Sequence, residues 1–176
     1  MHKGGKALAL IKLQQGGFTV PHFLVCDVSW SKKQISENID RELPTVDYFA
    51  VRSSATNEDS KEQSFAGHFY SGLAVTREAV FDEISKVNES FGKMLGSVIV
   101  QEFIPSDTAG VMFTEVDGNT VVVNATVGLC QPVVNGEACD EYLCSKDGAM
   151  LSKRISKDKT IKLFSGGRIV SGKSDK

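Results

Sequence analysis

An arginine, Arg52, ends the apolar run Tyr48–Val51 and opens the hydroxyl-rich stretch VRSSATNEDS. A guanidinium fork can bond two phosphate oxygens at once, and nearby hydroxyls can add further contacts. Ser64, Phe65, Ala66 and Gly67 follow, a mostly small-residue segment whose N–H groups could approach a phosphate chain closely. The same residues also fit a surface loop with a helix-capping serine, and chemistry alone leaves the two readings level.

Two further segments carry chemistry. Gly4-Gly5-Lys6 heads a helical pattern, where two glycines allow close backbone approach and a lysine adds charge near a helix N-terminus. On its own it reads as a solvated lysine after a flexible start. Val98–Thr114, VIVQEFIPSDTAGVMFT, runs a strand carrying Gln101 and Glu102 through Pro105 into another strand. Such a hinge could read adenine by backbone groups and a side-chain amide, or be a plain β-connection. Gly167–Ser174, GRIVSGKS, matches a phosphate-loop pattern, but only Asp175 and Lys176 follow. That pattern works when it opens a helix, so this match is accidental.

The elements that must hold these residues are legible from periodicity. Gly5–Gln15 is helical and stops at Gly16-Gly17. His22–Cys26 reads as a strand, Ser31–Leu43 as a polar surface helix, and Tyr48–Val51 and Phe69–Val75 as strands. Val80, Ile84, Val87, Phe91 and Leu95 mark a long helix. Arg77, at its start and outside every motif, is expected to matter little for ligand binding. Beyond Gly96, strands are predicted at Val98–Ile104, Gly110–Thr114, Thr120–Ala125, Gln131–Val134, Glu141–Cys144 and Met150–Ile155, with Asp117-Gly118-Asn119 as a hairpin turn. The class is α+β: residues 1–97 a mixed first lobe, 98–164 part of a strand-rich second lobe, and 165–176 a flexible tail.

Composition narrows the partners. The 176 residues are 41% hydrophobic and 24% charged with net charge −2, an ordinary globular mix without electrostatic pull toward nucleic acid or membrane. The apolar run near the N-terminus is interrupted by Lys12, so neither a signal peptide nor a membrane span is expected. Cys26, Cys130, Cys139 and Cys144 form no C-x-x-C pair, which fits reduced thiols in a cytoplasmic protein. Cys139 and Cys144 lack partners at metal-site spacing, so no metal ligands are assigned.

Taken together, GGKALAL, VRSSATNED, SFAG, IPSDTAGVMFT and VGLCQPVVNGEACDEY resemble, in order, the ATP-binding domain of the phosphoenolpyruvate synthase and pyruvate phosphate dikinase family, shared with rifampin phosphotransferase. The resemblance covers Gly4 to Tyr142. It implies an ATP-grasp-like fold of two small lobes, the second incomplete. It also implies ATP with magnesium as cofactors, and phosphohistidine and phosphoenolpyruvate-binding domains as partners. Lys6 and Arg52 match phosphate-contacting, catalytic positions. Ser64, Ala66, Gly67 and Ser71 fall on the loop and strand start facing the nucleotide, and Gln101 with Glu102 on the hinge near adenine.

This sequence departs from the pattern in places. Ala7 stands for a glycine, Asn124 for a frequent glutamate, and Cys130 interrupts GLG. The D-I-E-W-like and Q-S-R-P-like strands that supply the family's magnesium ligands do not occur. His2, His22 and His68 lie outside the phosphohistidine context, and surface or loop roles are expected for them. Two functions follow: the ATP-binding portion of a dikinase-type phosphotransferase, or a non-catalytic nucleotide-binding or interaction module derived from it.

Overall fold

The computed structural model describes residues 3–27, 29–55, 70–92, 95–114 and 118–174. They form two compact units, Met1–Ile104 and Pro105–Lys176.

In the first unit, helix α1 (Gly5–Gln15) ends where Gly17 takes φ 79°, a left-handed conformation that favours glycine. Strand β1 (Phe23–Cys26) leads to helix α2 (Lys32–Glu42), which Ser31 opens with a capping box: its hydroxyl accepts from the Gln34 N–H, and the Gln34 side chain accepts from the Ser31 N–H. Then come β2 (Tyr48–Ala55), β3 (Ser71–Thr76), α3 (Val80–Ser90) and β4 (Gly96–Glu102). The sheet order is β1-β4-β2-β3, with antiparallel pairing throughout.

Alternation divides this sheet into two chemically different faces. Phe49, Val51 and Ala55 of β2 and Val98 and Val100 of β4 join Ile35, Ile39, Val80, Ile84 and Val87 in one core beneath α2 and α3. The other face carries Ala50, Arg52 and Ser54 on β2 and Ser97, Ile99 and Gln101 on β4. Fully buried Ile99 stands outside that core cluster, so the second face has its own packing.

The second unit contains β5 (Thr108–Phe113), β6 (Thr120–Val127), a short helix α4 (Gln131–Val134), β7 (Asp140–Ser145) and β8 (Met150–Arg154). Its sheet runs β5-β6-β7-β8, and β9 (Lys159–Ser165) pairs with β10 (Arg168–Ser174) as a separate hairpin. The hairpin is tied to the sheet by Lys159, whose Nζ reaches both oxygens of Asp140 at 2.8 and 2.7 Å. The Leu129 N–H also donates to the Lys162 carbonyl.

The α+β class stands, and several boundaries move. Val98–Glu102 belongs to the first unit, because β4 is an inner strand between β1 and β2; the chain divides after Ile104, not after residue 97. Gln131–Val134 is a helical turn, since Pro132 at its start removes a donor a strand would need. Residues 165–174 are no fraying tail: Gly166 and Gly167 both take positive φ and make the two-residue turn of the last hairpin. GRIVSGKS lies mostly in β10, so its phosphate-loop pattern forms no cradle at a helix N-terminus.

Candidate functional site

The Gly4–Lys6 segment is held by the stretch that follows Arg52. Gly4 caps α1 without a side chain, and a Cβ placed there would lie 2.1 Å from the Ser54 carbonyl oxygen. Only glycine lets the helix start approach β2 so closely. Three residues on, the backbone N–H of Ala7 donates to Ser54 Oγ at 3.0 Å in a buried bond. The first turn of any helix leaves its N–H groups without partners inside the helix, and here a serine from a distant strand satisfies one. The serine does cap a helix, as one reading of VRSSAT allows, but across 47 residues rather than locally.

Arg52 lies two residues before Ser54, on the same face and about 7 Å away along the strand. It is the exposed residue in an otherwise largely buried strand. Its partners across the ladders are Ser71 on β3 and Ile99 on β4. Lys6, half-buried in the first turn of α1, precedes the Ala7 that is bonded to Ser54. The bond to Ser54 thus docks the helix start that carries Lys6, and the positive end of the α1 dipole, against the sheet face that carries Arg52.

Gln101 also faces this side, paired with Ala50 and Phe23, and is only 6% exposed. Ser97, opposite Ser54, is fully buried, and its Oγ has no hydrogen-bond partner among the described residues. An unmatched buried hydroxyl is uncommon.

Glu102 is not brought together with these residues. Alternation sends it to the opposite face from Gln101, where its Oε2 accepts from the His22 N–H at 3.4 Å. Ser64, Ala66 and Gly67, with His68, fall outside the described residues. Arg52, Ser71 and Gln101 are therefore the expected site residues that share a face, and Lys6 sits on the helix start docked against Ser54 of that face.

Among the described residues, no group of three or more His, Cys, Asp or Glu is placed to hold a metal. Asp140, a carboxylate that could substitute for missing ligands, is already held by Lys159 and accepts from the Ser156 N–H.

Reading by motif missed the structural part of the site. Ser54 has a signal in sequence only as a second hydroxyl after Arg52, and nothing local reveals that it caps α1. Gly4 shows as a flexible start, whereas its role is close packing.

An exposed arginine and a buried amide share one face, with a lysine on the helix start docked beside them, a set of groups chemically suited to an anion joined to a planar group. The chain matches the family described as pyruvate phosphate dikinase, AMP/ATP-binding domain, over residues 17–94 and 92–170, and belongs to that family. Lys6 lies ahead of the matched region. A probable phosphoenolpyruvate synthase of Pyrococcus horikoshii is 28% identical over 175 residues, covering 87% of this chain and 21% of that protein. A phosphoenolpyruvate synthase of Aeropyrum pernix is 31% identical over 182 residues, covering 89% and 22%. A rifampicin phosphotransferase of Bacillus subtilis is 31% identical over 132 residues, covering 63% and 15%. The chain thus spans about a fifth of the length of such relatives. No helix among the described residues is long and apolar enough to cross a membrane.

Proposed function

We propose that this chain binds ATP on the sheet face that carries Arg52, Ser71 and Gln101, as the nucleotide-binding portion of an ATP-grasp-like, dikinase-type phosphotransferase. The observation that supports the reading is the docking of α1 onto β2 through Ala7 and Ser54, which joins the helix start carrying Lys6 to the strand carrying Arg52, 46 residues away in sequence. Family membership supports the nucleotide, and the relatives' names support phosphotransfer.

In this reading the Arg52 fork bonds two phosphate oxygens, while Lys6 and the helix dipole add positive potential. Both cations offset charge that builds on the transferred group, which is the principal catalytic demand in phosphoryl transfer. The Gln101 amide contributes to reading adenine. The phosphoryl or pyrophosphoryl group then passes to a phosphohistidine carrier and on to pyruvate or another acceptor, with those domains in the same or a separate polypeptide. The setting proposed is cytoplasmic.

Calorimetric titration of ATP into the chain, in EDTA and again with excess magnesium, tests the reading. Weak binding that changes little between the two conditions is expected. An absence of heat at millimolar ATP in both would remove it.

A further inference from the structure

Glu83, in the first turn of α3, puts a carboxylate into the core face of the sheet. Its side chain is only 10% exposed. A Cβ added at Gly72 would lie 2.1 Å from Glu83 Oε1 and 2.6 Å from its Cδ, so the carboxylate fills the space that a side chain at residue 72 would take. Two groups answer its charge. Lys86 Nζ donates to Oε2 at 2.9 Å and lies 5.8 Å over the Tyr70 ring, whose phenol is close enough to the same carboxylate to feel its charge. Glu83 in turn makes both the Tyr70 phenol and the Lys86 ammonium hold their protons more tightly.

A carboxylate is a poor choice for filling a gap over Gly72, because its desolvation must be offset by good partners. What it grips is specific. Tyr70 and Gly72 flank Ser71, the residue opposite Arg52 in the β2–β3 ladder. This ladder is weak just beyond that point. Leu73 and Ala74 bulge opposite Ala50, with Ala74 at φ 54°, and β3 is the edge strand of this sheet among the described residues. The Arg52–Ser71 pair is cut off by the bulge from the rest of the ladder.

We propose that Glu83 is a positioning residue for the nucleotide face, holding Ser71 in register with Arg52 through its grip on Tyr70 and Gly72. The functional half of this assignment rests on reading that face as the ATP site; the positioning half does not.

Amide hydrogen exchange on Glu83→Ala, Tyr70→Phe and Glu83→Gln separates the possibilities, with the β4 amides of Val98 to Val100 as an internal reference. Losing the grip should speed exchange in Gly72 to Val75 about tenfold relative to β4, the effect of one lost hydrogen bond. Glu83→Gln keeps an oxygen acceptor for Tyr70 and should restore most of the protection. In the same variants ATP affinity should fall severalfold while adenosine affinity holds. An unchanged exchange ratio, or a uniform rise across all strands, would reduce Glu83 to a core filler and overturn the assignment. Should Glu83→Ala fail to fold, Tyr70→Phe alters a half-exposed residue and carries the same comparison. A wild type that binds no ATP sinks the phosphate reading alone, because the exchange ratio still decides what Glu83 does.

Discussion

The backbone N–H of Ala7 and the hydroxyl of Ser54 meet at 3.0 Å, and this bond joins the two segments that carry the site's cations. Ser54 is fully buried, so no water can replace its oxygen when it is removed. Ser54→Ala should therefore cost about 0.5–2 kcal/mol, as other losses of a helix-capping side chain do. The loss should concentrate at the start of α1. Urea unfolding gives the total, and exchange at Ala7 and Leu8 locates it. Gly4→Ala should loosen the same helix start more severely, because its Cβ meets backbone rather than a movable side chain.

Arg77 is expected to be more costly to remove than its sequence context suggests. Its guanidinium donates to Asp40 at 2.8 Å and to the carbonyls of Leu43, Pro44 and Val46 at 2.8, 3.4 and 3.2 Å. It also lies 5.5 Å over the Phe49 ring. These bonds satisfy carbonyls at and beyond the C-terminal end of α2, which has no glycine to turn it. Arg77→Ala should lower stability by about 1.5–3 kcal/mol, the usual worth of charged hydrogen bonds. An arginine outside every motif is thus no neutral control for ligand binding. Lys33 serves better, since its 3.8 Å pair with Glu37 is largely exposed and contributes little. Denaturation of both alanine variants checks the contrast, and equal midpoints would contradict it.

Much of this fold can be read from sequence because its signals are local. The Gly16-Gly17 stop, the Ser31 cap and the apolar spacing of α3 each act within a turn or two of helix. What escapes reading depends on distant partners. Arg52 to Ala55 look polar enough for a loop, yet they continue β2 because β4 pairs with every one of them and Ser54 serves α1. Gly166-Gly167 looks like a fraying tail until β9 and β10 are paired across it. In the site, the residue types of Lys6, Arg52 and Gln101 suggested their chemistry. The face shared by Arg52 and Gln101 was not legible, and neither was the assignment of adjacent Gln101 and Glu102 to opposite faces.

Alkaline pH should expose the burial of Cys26. Desolvation pushes its thiol up to about 12 from an ordinary 9.0. Above 9.0 the unfolded thiol loses its proton while the folded one keeps it, so the folded state binds more protons. Stability is then full below 9.0 and falls as pH rises toward 12, by at most about 1.4 kcal/mol per unit. Urea unfolding at pH 8 and pH 10.5 should show Cys26→Ala losing less stability over this interval than wild type. Parallel losses would place Cys26 outside the alkaline transition.

The most direct test of the account is the effect of Arg52→Lys on ATP compared with adenosine. Lysine keeps the charge at this exposed position but cannot span two oxygens with one planar fork. Losing a charge-assisted hydrogen bond costs about 1.5–3 kcal/mol, roughly tenfold to hundredfold in affinity. Titration calorimetry on wild type, Arg52→Lys and Lys33→Ala, each with both ligands, gives the comparison. The account predicts a selective loss of ATP affinity in Arg52→Lys, with adenosine binding unchanged and Lys33→Ala matching wild type throughout. Equal ATP affinity in all three proteins would contradict the phosphate-clamp role of Arg52, and with it the placement of the nucleotide on this face.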